Sequence, residues 1–96
     1  EMLPNDFNLF QNHPNPFNPQ TTIRFTIPST QNASIAIYDM MGRTIRKVNM
    51  DGLLPGIHQF KWDGKNQRGS SVSAGIYLYK LSTINFSMTR KMILLK

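Results

Sequence analysis

The sequence predicts an all-β fold, an antiparallel β-sandwich of about seven short strands with no disulfide. Three observations predict it. Apolar and polar residues alternate with a period of two, as in Ile23-Arg24-Phe25-Thr26-Ile27. Turn signals made of Gly, Pro, Asp and Asn recur at roughly the 8–12-residue spacing of small all-β domains. No window shows a helical apolar repeat. The 96 residues suffice for one domain with one modest core. A content of 40% hydrophobic and 10% aromatic residues excludes a disordered tail. No apolar run approaches the roughly 20 residues of a membrane-spanning helix. There are no cysteines, so the fold stands on packing alone.

Residues 1–19 are rich in Asn, Pro and Phe. In His13-Pro14-Asn15-Pro16-Phe17-Asn18-Pro19 each proline fixes its own φ, extends the residue before it and lacks a ladder donor. That excludes a helix and argues against a central strand. The stretch reads as an extended arm, packed by Phe7, Leu9, Phe10 and Phe17, that docks on a sandwich formed by residues 20–96. A flexible linker rarely carries three phenylalanines.

Residues 22–27 form the first half-buried strand, stopped by Pro28, with Ile23, Phe25 and Ile27 on one face. Residues 34–39 follow, with Ile35 and Ile37 inward. Asp39-Met40-Met41-Gly42 reads as a hairpin loop, in which Gly42 takes positive φ and Asp39 accepts backbone N–H bonds. The return strand runs from Arg43 to about Met50, and Asp51-Gly52 and Pro55-Gly56 punctuate the next connection. His58, Phe60 and Trp62 share a face of strand 57–62, where Trp62 serves as a core anchor. A polar loop spans 63–71. Tyr77, Tyr79 and Leu81 share one side of strand 75–82, and Phe86, Met88, Met92 and Leu94 share one parity of strand 86–95.

Catalytic groups are scarce, and the chain is expected to be no enzyme and to need no cofactor. His13 lies in the arm and His58 on an apolar face. Two histidines without cysteine do not make a structural zinc site. The acids are Glu1, Asp6, Asp39, Asp51 and Asp63. Three of them, Asp39, Asp51 and Asp63, sit one to three residues before a glycine and serve turns rather than paired-acid hydrolysis. The loop from Asp63 departs from calcium-loop spacing, with Lys65 at its third position and Ala74 at its twelfth. Neither a phosphate loop nor a serine elbow is present.

The net charge is +6. The cations Arg24, Arg43, Arg46, Lys47, Lys61, Lys65, Arg68, Lys80, Arg90, Lys91 and Lys96 are spread along the chain, unlike a nucleic-acid stripe. Most are expected to face solvent from strands. The local asymmetry is the end, where residues 86–96 hold Arg90, Lys91 and Lys96 with no acid. Glu1 is not preceded by a basic leader and apolar h-region, so the stretch reads either as a cytoplasmic protein or as a piece of a longer exported chain, and a start at Glu1 without an initiator Met favours the piece.

Four ordered segments carry a resemblance. They are His13 to Pro19 with Thr21 to Phe25; Ile37-Tyr38-Asp39-Met40-Met41-Gly42-Arg43; Trp62-Asp63-Gly64 with Gly69 and Ala74 to Leu81; and Thr89 to Lys96. Together they resemble the C-terminal sorting domain (type A) of the type IX secretion system of Bacteroidetes. The Trp62-Asp63-Gly64 half is also similar to the immunoglobulin-like domain of flagellar hook-capping proteins. One departure is His13, where an aromatic, usually Tyr, is commoner.

The resemblance implies an immunoglobulin-like sandwich at the tail of a larger secreted or cell-surface protein that passes through the periplasm. Its implied partners are the outer-membrane secretion machinery, a surface sortase-like peptidase and the upstream cargo domain. The implied structural residues are Pro14, Asn15, Pro16, Phe17, Asp39, Gly42, Arg43, Trp62, Asp63, Gly64, Gly75 and Tyr77. The implied sorting signal is the last strand: Thr89, Arg90, Lys91, Met92, Ile93, Leu94, Leu95 and Lys96. An exposed edge strand there would be read by backbone pairing, with its cations setting orientation. The rival reading is an accessory structural or carbohydrate-binding sandwich. A binding module exposes aromatics in a row, and a sorting module buries them.

Overall fold

A computed structural model describes residues 6–95. Seven strands run in the order β1 (Asn8–Leu9), β2 (Thr21–Ile27), β3 (Gln31–Asp39), β4 (Thr44–Leu53), β5 (Gly56–Trp62), β6 (Gly75–Ser82) and β7 (Ser87–Leu94). They form two antiparallel sheets, β1-β2-β5 and β4-β3-β6-β7. The chain is thus an immunoglobulin-like β-sandwich without helix or cysteine among the described residues. Alternation places its core between the sheets. Ile23, Phe25 and Ile27 of β2 face Ile35 and Ile37 of β3, Tyr77, Tyr79 and Leu81 of β6, and Met92 and Leu94 of β7; all are buried. Trp62 closes one end of this core and is fully buried.

The β3–β4 turn closes through Gly42 N–H to the Asp39 carbonyl at 3.0 Å. Neither Met40 nor Met41 has positive φ, so the turn is of type I, and Gly42 at φ +85° supplies the left-handed residue that follows.

Three local expectations are corrected. Asp51-Gly52 does not end β4. The pairing shifts between Gln31↔Leu53 and Ala33↔Met50, so Asp51 and Gly52 together oppose Asn32 as a β-bulge. Gly52 takes φ +63°, and its N–H donates to Asn32 Oδ1, which lets both strands continue. Phe86 stays outside β7 and stacks on Phe7 with ring centroids 4.4 Å apart, and Met88 is 40% exposed. Phe10 is 42% exposed rather than packed in the core, because its neighbour Leu9 takes the inward position and turns Phe10 outward, where the Arg24 guanidinium lies over its ring.

Candidate functional site: the terminal strand and its strap

β7 pairs with β6 through Gly75↔Leu94, Tyr77↔Met92 and Tyr79↔Arg90. Its even-numbered residues turn their backbone groups to β6. The odd-numbered ones turn theirs outward, as strand alternation requires. Thr89, Lys91, Ile93 and Leu95 are exposed, Met92 and Leu94 are buried, and Arg90 is half-buried. Lys96 lies outside the described residues.

The outer edge is not open, which corrects the exposed-edge expectation. Phe17 N–H donates to the Ile93 carbonyl at 3.0 Å, and Leu95 N–H donates to the Phe17 carbonyl at 2.7 Å. Ile93 N–H donates to Asn15 Oδ1, and Gln11 Nε2 donates to the Lys91 carbonyl. Arg90 is also not free, because its Nε donates to the Leu9 carbonyl. Arm residues 9–17 therefore act as a strap along β7. Pro14 and Pro16 flank Asn15 in it and are exposed, while Phe17 is buried. Prolines suit this role because a strap bonding with alternate residues leaves many amides unused.

The segments that carry the resemblance converge at this end of the sandwich. Trp62 packs against Phe17 at 5.7 Å and edge-on against Tyr77 at 5.5 Å, and its indole N–H donates to the Lys65 carbonyl. Gly64, at φ +75°, lies so close to Pro19 and Leu94 that a Cβ would sit 3.2 Å from the Pro19 carbonyl oxygen. Gly75 pairs with Leu94, and Tyr77 with Asp39. Asp63 has a purely local part, accepting from Lys65 N–H. A recess of about 350 Å³ lies at the opposite end, lined by small polar residues such as Ser34, Asn49 and Ser82.

The buried tyrosines satisfy their hydroxyls at the strap and loops. Tyr79 accepts from Asn12 N–H and donates to the Phe10 carbonyl, and Tyr77 donates to the Ser73 carbonyl. Burial pushes the pKa of both phenols up. Nearby Asp39 adds to this at Tyr77, and the Asn12 amide and Arg90 partly offset it at Tyr79. His58 packs on Phe25 and bonds the Leu54 carbonyl. Among the described residues no group of three or more His, Cys, Asp or Glu could hold a metal ion, and no helix is long and apolar enough to cross a membrane.

Asp39 makes the one ion pair among the described residues, 2.7 Å to Arg43 Nε, and accepts N–H bonds from Met41 and Arg43. Burial pushes its carboxyl up, but these donors and the guanidinium outweigh that and hold its pKa below the ordinary value. A lowered pKa contributes stability above the unfolded value, about 3.9, and loses it as pH falls through the folded value. Asp39→Asn is therefore expected to flatten the decline in stability below about pH 4, read by urea denaturation across pH.

The Asp39–Gly42 turn, the buried Trp62, the Gly64 contact and the disulfide-free sandwich define a small immunoglobulin-like module. The FlgD Ig-like domain model matches residues 16–86, and the chain belongs to that family. The match begins inside the strap and ends before β7. Among solved structures, dimeric latent PorU from Porphyromonas gingivalis is similar over 98% of this chain and 10% of its own, with 24% identity and TM-score 0.79. FlgD from P. aeruginosa is similar over 79% of this chain and 64% of its own, with 21% identity and TM-score 0.63. PorZ, a surface component of the type IX secretion system of P. gingivalis, is similar over 92% of this chain and 11% of its own, with 19% identity and TM-score 0.63. The chain thus spans about a tenth of PorU and of PorZ. Comparison with curated protein sequences gives no match.

Proposed function

We propose that this domain is a non-catalytic, type A sorting module at the tail of a larger exported protein. In this reading the outer-membrane type IX machinery recognises it through β7, and a surface sortase-like peptidase removes it when the cargo is anchored at the cell surface. One observation carries the reading. PorU and PorZ, components of the type IX system, share this sandwich over 98% and 92% of the chain, whereas the FlgD-type family match stops at residue 86, before the terminal strand. Lys91 is the exposed cation of β7 among the described residues, with Arg90 held by the strap. The family match favours a second reading, an accessory structural module. Its carbohydrate-binding form is disfavoured, because Trp62, Tyr77 and Tyr79 are buried rather than arrayed on a face.

The test is a secreted reporter fused upstream of the domain in a bacterium with a type IX system. Removing residues 89–96 is expected to retain the reporter inside the cell. Because that deletion also removes the core residues Met92 and Leu94, Lys91→Glu is measured beside it and is expected to reduce export with the fold intact. Normal export of both fusions would overturn the reading, and binding of the purified domain to insoluble polysaccharide would favour the second.

A further inference from the structure

The four edges of the two sheets are treated unequally. The strap covers β7 and continues along β2, where Phe10 N–H donates to the Arg24 carbonyl and His13 exchanges two bonds with Thr22. On the first half of β4, loop residue Gln67 donates its N–H to the Ile45 carbonyl and accepts from Lys47 N–H through Oε1. β5 has no such cover. Since the even-numbered residues of β2 bond the arm, its odd-numbered ones bond β5, through Ile23↔Phe60 and Phe25↔His58. The N–H and C=O groups of Ile57, Gln59 and Lys61 therefore point away from β2. Among the described residues no hydrogen bond reaches them. This edge is free of bulges and prolines and long enough for a partner strand of about five residues.

The surroundings of that edge specify the occupant. Cations flank the edge: Arg46 of β4 lies against Phe60 of β5, Lys61 stands on the exposed face of β5, and the loop that carries Lys65 and Arg68 bonds β4 beside Lys47. No carboxylate pairs with any of them among the described residues. Arg46 reaches across the seam between the sheets to lie 5.6 Å from the Phe60 ring centroid, and its Nε is buried without an acceptor. A buried donor of this kind wants an acceptor. A second copy of the chain is a poor occupant, because each copy carries +6 and pairing β5 with β5 would bring the cation clusters together.

We propose that the outer edge of β5 is a strand-addition site for an extended acidic segment of a partner protein. The partner's backbone would pair with Ile57, Gln59 and Lys61, and an inward carboxylate would accept from Arg46. Main-chain pairing supplies the affinity, and the charge pattern supplies the selection.

The test titrates the isotope-labelled 96-residue chain with the synthetic peptide Glu-Val-Glu-Val-Glu-Val-Glu and with its lysine counterpart, followed by amide NMR. The acidic peptide is expected to shift the amides of Ile57, Gln59, Lys61 and Arg46, and the lysine peptide to shift none. Gln59→Pro removes an outward N–H on an edge strand, where proline is tolerated, and is expected to weaken binding about tenfold. Arg46→Gln keeps the edge and removes the charge, with a similar loss. If neither variant weakens binding, if the shifts fall on β7 instead, or if a short heparin chain competes equally in wild type and Gln59→Pro, the surface is a general polyanion patch and the proposal fails. Dimerisation of the free chain by light scattering would overturn it in favour of self-pairing.

Discussion

Trp62→Ala is expected to lower the free energy of unfolding by about 3–5 kcal/mol, a large share of what a domain of this size possesses. The indole is fully buried and lies where three chain segments meet. Phe17 of the strap and Tyr77 of β6 rest on its ring, and the carbonyl of Lys65 in the following loop depends on its N–H. Alanine leaves a cavity that these neighbours can fill only by abandoning their own positions, and it strands the Lys65 carbonyl. Trp62→Phe separates the two effects: it keeps most of the packing and loses the hydrogen bond, for a cost of about 1–3 kcal/mol. Trp62 is the chain's one tryptophan, so unfolding is followed by circular dichroism in urea rather than by fluorescence. A loss below about 1 kcal/mol for the alanine variant would show that the ring does not anchor this end.

The sandwich was legible in the sequence because burial on one face of a strand imposes a period of two, which β6 obeys throughout and β2 obeys as far as Phe25, beyond which Thr26 is buried as well, under the arm. The Asp39–Gly42 turn was legible for a similar reason, since its residue types suit that backbone geometry. Asp51-Gly52 shows the limit. A glycine with positive φ serves a turn or a bulge equally well, and the choice was made by Asn32 on the neighbouring strand, which no local window contains. The strap shows a second limit. Prolines reveal where backbone donors are missing, but they do not reveal that the side chains of Gln11 and Asn15 would bond β7 in their place. Arg90 was readable from its parity, which it shares with the buried Met92 and Leu94. Charge alone suggested a solvent-facing residue, and the arginine stem instead carries its guanidinium to the Leu9 carbonyl.

Phe17→Ala is expected to match Trp62→Ala in magnitude, about 3–5 kcal/mol, and to differ in what it releases. Phe17 is buried against Trp62, while its own N–H and C=O hold Ile93 and Leu95. Alanine keeps both backbone groups but removes the anchor that fixes them, so the strap bonds become the weakest on β7. Hydrogen exchange distinguishes this from uniform destabilisation. The amides of Ile93 and Leu95, which face the strap, are expected to exchange well ahead of Met92 and Leu94, which face β6. Asn15→Ala serves as the small counterpart, removing one bond to Ile93 N–H at an exposed position for about 0.5–1.5 kcal/mol and leaving Leu95 protected. Equal acceleration of all four amides would mean that strap and strand open together as one unit. Selective acceleration would mean that the outer edge of the terminal strand is exposed by losing one phenylalanine while the sandwich persists, and light scattering would then report the self-association that an uncovered edge invites.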